Sequence, residues 1–158
     1  MLGTLLSFLL FWRWIASPVT TARWIAALSY ICLMFYMLDE LKQDFESGLV
    51  KHLLFKSKLR SYLHGSGTSQ GPIRDPLQCT FGHWIRDRAL GPYAHLPESQ
   101  ELNQVHMQIH EEANYLMDLY QSGAQDAALA GLPAIEQLAD HITLLMRTME
   151  GKLRTGLY

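Results

Sequence analysis

The sequence predicts an all-α protein: an antiparallel four-helix-type bundle, with a short extra helix at a cysteine motif and an apolar helical segment at its N-terminus. Three observations lead to this fold class. Apolar residues recur at steps of three and four along several long stretches, which is the period of an amphipathic helix. Segments rich in glycine and proline separate these stretches, as expected for loops. No stretch alternates apolar and polar residues for long enough to predict a sheet.

The N-terminal part of the chain is more apolar than the rest. The runs Leu2–Trp12 and Trp24–Leu38 are separated by Ala16–Thr21, which predicts a break. A helix over the second run is about 22 Å long, shorter than the roughly 30 Å hydrocarbon core of a bilayer, unless Arg23 snorkels and an extra turn is added. The segment is a short membrane anchor, a helix buried in an oligomer, or a segment outside any folded unit. We therefore predict two domains, residues 1–38 and residues 39–158.

The second domain is predicted to contain three long helices and a short one. The approximate bounds of the long helices are Asp39 to the loop Gly65–Pro72, Pro97–Gly123, and Asp126–Leu153. Proline is tolerated in a first helical turn, which favours a helix start at Pro97. Gly131 and Pro133 should kink the last helix or split off its first turns.

Four residues form a candidate metal site. His106 and His110 are four residues apart, so one helical turn places both imidazoles on the same face, about 6 Å apart along the axis. His52 lies on the apolar face of its helix, and Cys79 begins a short helix whose positive N-terminal end favours a thiolate. Burying four such groups without partners would cost several kcal/mol, which a metal ion removes.

Three imidazoles and one thiolate suit Zn²⁺ and complete its tetrahedral shell. A complete shell leaves no position for a reactive water, so we expect a sensor or a structural site and not an enzyme. A non-haem iron or di-iron bundle of the hemerythrin or ferritin kind is the alternative, although it needs several inward carboxylates. A purely structural zinc site is a third hypothesis.

The neighbours of these four residues have predicted roles of their own. Gly82 lets the backbone approach the site closely, and Trp84 covers it. Glu111 and Glu112 form a solvated face, or one of them orients a ligand imidazole. The remaining histidines are predicted to be solvated or capping residues: His64, His83, His95 and His141.

Charge and cysteine content exclude several classes of protein. The net charge of −2 predicts no nucleic-acid surface. The two cysteines, Cys32 and Cys79, do not predict a disulfide, and a free thiolate ligand fits a reducing compartment, which indicates the cytoplasm.

The segment from about Phe45 to Leu153 resembles a bacterial chemoreceptor zinc-binding (CZB) domain. The matching pieces are His52–Lys56, Cys79–Trp84 and His106–His110. The resemblance implies a helical bundle, often a homodimer, that regulates chemotaxis receptors or cyclic-di-GMP synthesis in response to zinc and, in some receptors, to hypochlorous acid at the cysteine.

Carried over residue by residue, the zinc ligands of that family fall on four positions: His52, Cys79, His106 and His110. We therefore expect a cytoplasmic zinc sensor in bacterial signal transduction, with a chemoreceptor or a cyclic-di-GMP protein as its partner. Residues 24–38 would provide contact with the inner membrane. The sequence departs from the family setting because it contains no signalling helices and no cyclase domain.

Overall fold

The computed structural model describes residues 18–156, with side chains from residue 22 onward, and every regular element in this range is helical. An all-α bundle is therefore confirmed. The elements, in chain order, are α1 (Pro18–Leu63), α2 (Gly71–Arg74), α3 (Thr80–Trp84), a π-helical segment (Ile85–Ala89), α4 (Pro97–Gln121), α5 (Gln125–Ala130) and α6 (Leu132–Thr155). The predicted apolar run Leu2–Trp12 lies outside the described residues.

The chain divides into two compact units between Glu40 and Leu41. In the first unit the described residues are helical, and large apolar side chains such as Trp24 and Phe35 are about two-thirds exposed, at 68% and 70%. By length and composition alone this helix could cross a membrane, a test that signal sequences and buried core helices also pass. The two predicted domains, 1–38 and 39–158, stay a prediction.

The predicted break between the apolar runs is wrong for residues 18–21, which are already helical. Pro18 is the first helical residue described, and proline is compatible with a first turn because the N–H groups there have no intrahelical acceptor. Further along, the predicted split in the last helix is confirmed. Helix α5 ends at Ala130, and α6 begins at Leu132, with Pro133 in its first turn.

The second unit is built on the long helices α4 and α6 and on residues 41–63 of α1. The ring of Phe55 lies 4.7 Å from that of His110, and the ring of Tyr62 lies 5.3 Å from that of Tyr120. Residues later in α1 therefore meet residues later in α4, so these two helices run parallel. The connection through residues 64–96 allows this, because it brings the chain back to the end of the bundle at which α1 enters the second unit, and α4 begins there.

Helix α6 runs against the direction of α1. Gly48 packs closely against Met146, while Arg60 donates a hydrogen bond to Glu136 at 2.9 Å. The predicted antiparallel arrangement thus holds for α6 and not for the pair α1 and α4. In place of a fourth long helix, the short elements contribute buried side chains to the same core: Ile73, Phe81, Trp84, Ile85 and Ala89.

Candidate metal centre

Three of the four predicted ligands lie together in the core of the second unit. Cys79, His106 and His110 have 3%, 3% and 2% of their surface exposed, and their ligand atoms all lie within 4.8 Å of one another. The two histidines are on one face of α4, as the four-residue spacing predicts. Cys79 directly precedes α3, in extended backbone, so its side chain comes from the connection between α1 and α4 (residues 64–96).

The orientation of His110 is fixed by the backbone. Its Nδ1 lies 2.7 Å from the carbonyl oxygen of Ile73, and because a carbonyl only accepts, Nδ1 is the protonated nitrogen. The other nitrogen, Nε2, therefore carries the lone pair. It faces Nε2 of His106 at 3.2 Å.

This spacing fits a tetrahedral zinc ion. With Zn–N bonds of about 2.0–2.1 Å, two ligand nitrogens on a tetrahedron are separated by about 3.3–3.4 Å. The donors are two imidazoles and one sulfur, the ligand types that zinc prefers. Within the described range this group contains no carboxylate, which a ferritin-type di-iron site would need.

His52 is buried beside the group but is not part of it. Its ring centroid lies 5.2 Å from that of Phe81, and its Nε2 donates to the carbonyl of Ala139 at 3.2 Å. The other nitrogen, Nδ1, is buried without a hydrogen-bond partner. An unpaired buried nitrogen costs about 1–3 kcal/mol, a cost that coordination would remove. The role of His52 as the fourth ligand stays a prediction.

Burial keeps the imidazoles neutral. Desolvation lowers the pKa of His52 to about 4 and that of His106 to about 3, the latter also through the nearby charges of His110 and His52. The pKa of His110 is lowered by burial too, against its bond to Ile73. Neutral imidazoles are the form that binds a metal, so at neutral pH these side chains need lose no proton to act as ligands.

The thiol of Cys79 has the opposite tendency. Burial raises its pKa, whereas hydrogen bonds from the backbone N–H groups of Phe81 and Gly82 lower it by less. The backbone N–H groups at the start of α3 favour the thiolate, as predicted, but burial disfavours it by more. A bound cation would supply the charge that makes the thiolate stable here.

Gly82 brings the backbone against the site, as predicted. A Cβ at this position would lie 2.4 Å from the carbonyl oxygen of Pro76 and 2.9 Å from Cε1 of His106. Trp84 covers the site only indirectly. Its ring stacks on that of Phe81 at a centroid distance of 6.0 Å, and the ring of Phe81 packs edge-on against that of His106 at 5.6 Å.

The groups that orient the imidazoles were missed by sequence reasoning. They are the backbone carbonyls of Ile73 and Ala139, not the carboxylates of Glu111 and Glu112, of which Glu111 is exposed and Glu112 half-buried. No side-chain pattern could have identified a backbone acceptor. The other four histidines are at the surface or cap a helix, as predicted: His64, His83, His95 and His141.

Comparison with protein families gives a match, whereas comparison with curated proteins and with solved structures gives no significant one. The match, to the chemoreceptor zinc-binding domain, covers residues 52–117. It begins at His52, includes Cys79, His106 and His110, and ends before α6. Together with the buried Cys/His/His group it supports a zinc-binding domain. The chain is therefore similar, over residues 52–117, to the chemoreceptor zinc-binding (CZB) domain family.

Proposed function

We propose that the protein is a zinc-binding sensory or regulatory domain, without enzymatic activity, and that it holds a single zinc ion between His52, Cys79, His106 and His110. The observation that supports this most strongly is the buried cluster of Cys79, His106 and His110, whose ligand atoms lie within 4.8 Å of one another. The orphaned Nδ1 of His52 adds a fourth candidate donor nearby.

The chain's own residues prepare this site before any metal binds. Ile73 and Ala139 hold two imidazoles in fixed tautomers, so His110 offers Nε2 and His52 offers Nδ1. When bound, zinc would supply a cross-link between these segments, in addition to the packing and the hydrogen bonds that already join them. With four protein donors the site has no open position, which is typical of structural or sensory zinc and not of catalytic zinc.

The output would pass through α1 and the cysteine segment, Cys79–Trp84. Helix α1 carries His52 in the second unit and, earlier along the chain, the apolar run of residues 24–38. Loss of zinc, or oxidation of Cys79, would release the cysteine segment from α4. The partner that reads this change is a second copy of the chain together with a chemoreceptor or a cyclic-di-GMP protein, by analogy with the family.

We further propose that the protein works in the bacterial cytoplasm, with residues 24–38 in contact with the inner membrane. The exposed apolar side chains of this segment support the proposal, since large exposed apolar surfaces commonly mark membrane or partner contacts. If the full-length protein is found with membranes while a shortened chain beginning at Asp39 is soluble and still binds zinc, the proposal stands. Full-length protein that stays soluble as a discrete dimer would favour the helix buried in an oligomer.

A titration of zinc affinity separates a sensor from a structural site. Purified protein is titrated with zinc in competition with chelators of graded affinity, and its oligomeric state is followed in parallel by light scattering. A sensor should release zinc within the range of free zinc that the cell buffers, with a change in oligomeric state or protease sensitivity. Zinc retained against every chelator, with no such change, would make the site a structural staple.

A further inference from the structure

A groove opens on one side of the candidate metal centre. It has a volume of about 180 Å³ and is formed between the connection of residues 64–96 and α4. The residues that line it include Leu77, Gly82, His83, His106 and Met107, and of these His106 is buried. Since a water occupies about 30 Å³ in the liquid, the groove has room for several waters or for the metal-binding head of a small chelator.

The other sides of the centre are closed by protein. The ring of Phe55 packs against His110 at 4.7 Å, and Ile73 occupies its Nδ1. The ring of Phe81 packs against the rings of both His52 and His106. Among the cavities described for this chain, the one at His106 is therefore the one that reaches a predicted ligand.

Beside this groove the backbone at Gly82 packs directly against Pro76 and His106. A Cβ there would lie between Pro76 and the His106 ring, as the 2.4 Å and 2.9 Å approaches show. At the outer end, Leu77 is 76% exposed and Met107 is 42% exposed, so both can move without disturbing the core.

We propose that this groove is the route by which zinc and small metal-binding ligands enter and leave the buried site, with Leu77 and Met107 setting the rate of exchange. The inference rests on the proposed zinc binding, and it adds the direction of exchange and the residues that control it. The alternative route is an opening of the bundle itself, in which case exchange would follow the opening rate of the fold.

The two routes differ in what a plug in the groove would do. A bulky side chain at the mouth obstructs loading and removal alike, because both pass the same point. The two rates then fall by the same factor and the dissociation constant stays unchanged. A substitution that instead damaged the site would change the dissociation constant.

The test uses the full-length chain with Leu77→Trp and, separately, Met107→Trp as plugs. Leu144→Trp is the matched control, since Leu144 is 62% exposed on α6 and does not line the groove. Stopped-flow mixing with the chromogenic chelator 4-(2-pyridylazo)resorcinol measures zinc removal, mixing with zinc measures loading, and competition titration gives the dissociation constant. Circular dichroism establishes that each variant is folded.

We expect both plugs to slow loading and removal several-fold, with the dissociation constant unchanged and the Leu144→Trp rates equal to wild type. If either folded plug exchanges zinc at the wild-type rate, or if the control slows equally, the groove is not the route, while zinc binding itself stands. Wild-type protein that takes up no zinc would overturn both the proposed function and this inference.

Discussion

The two units of this chain use apolar and polar residues in opposite ways. In the described part of the first unit, aromatic and aliphatic side chains such as Trp24 and Phe35 are exposed. In the second unit, Phe45 is 1% exposed, and three imidazoles are buried with it. The apolar side chains of the first unit are therefore free to contact a membrane or another protein. The imidazoles of the second unit are enclosed, and burying them costs free energy unless their nitrogens bind a partner.

The largest effect should come from removing an enclosed ligand. We expect His106→Ala to lower zinc affinity by more than about 100-fold, because even residues that only support metal ligands are typically worth 10–100-fold. His141→Ala is the control, since His141 is 43% exposed and pairs with Glu101 instead. Competition titration of the full-length variants measures both. Equal zinc affinities for the two variants would exclude His106 as a zinc ligand.

A pair of phenylalanines on one helix tests the contrast between the units directly. Phe45→Ala should destabilise the second unit by about 3–5 kcal/mol, since Phe45 packs against Trp84 and Tyr93 at 5.4 Å each. Phe35→Ala, at an exposed position, should change stability by less than about 0.5 kcal/mol. Chemical denaturation followed by tryptophan fluorescence, in the same buffer, gives both values. Comparable losses would mean that Phe35 is buried in an assembly.

Two glycine substitutions test how closely the backbone packs against the site. Gly82→Ala should cost about 1–3 kcal/mol through overpacking, and should also weaken zinc binding because the new Cβ meets His106 at 2.9 Å. Gly151→Ala lies in open space within α6 and should stabilise the helix by up to about 1 kcal/mol with no change in zinc affinity. Thermal unfolding and zinc titration provide the two measurements. Wild-type affinity in Gly82→Ala would mean that His106 tolerates displacement.

The stability of the metal-free protein should depend on pH. His52 and His106 have folded pKa values of about 4 and about 3, below the ordinary value of 6.5. Between those values the unfolded chain binds more protons than the folded one, so stability is lost as the pH falls below about 6.5 and the loss levels off near the folded values. Urea unfolding of chelator-treated protein from pH 7 to pH 4 measures this. A His52→Phe variant should show a weaker dependence, and an unchanged dependence would exclude His52 as a source.

The sequence predicted the features that depend on periodicity and on residue chemistry. The helical period gave the long helices and placed His106 and His110 together, while Gly131 and Pro133 gave the split before α6. Other features depend on the path of the backbone in space, which no local pattern encodes. The parallel course of α1 and α4 is one, and the carbonyl of Ile73 bonded to His110 is another. Burial likewise reversed the expected effect on Cys79, because desolvation outweighs two amide hydrogen bonds.

The most direct test of the central claim is the metal content of full-length protein purified without chelator, measured by elemental analysis beside a Cys79→Ser variant. The enclosed cluster of Cys79, His106 and His110 predicts one zinc per wild-type chain and substantially less in the variant. Iron in place of zinc, no metal in the wild type, or full zinc occupancy in Cys79→Ser would each contradict a zinc site built on this cysteine.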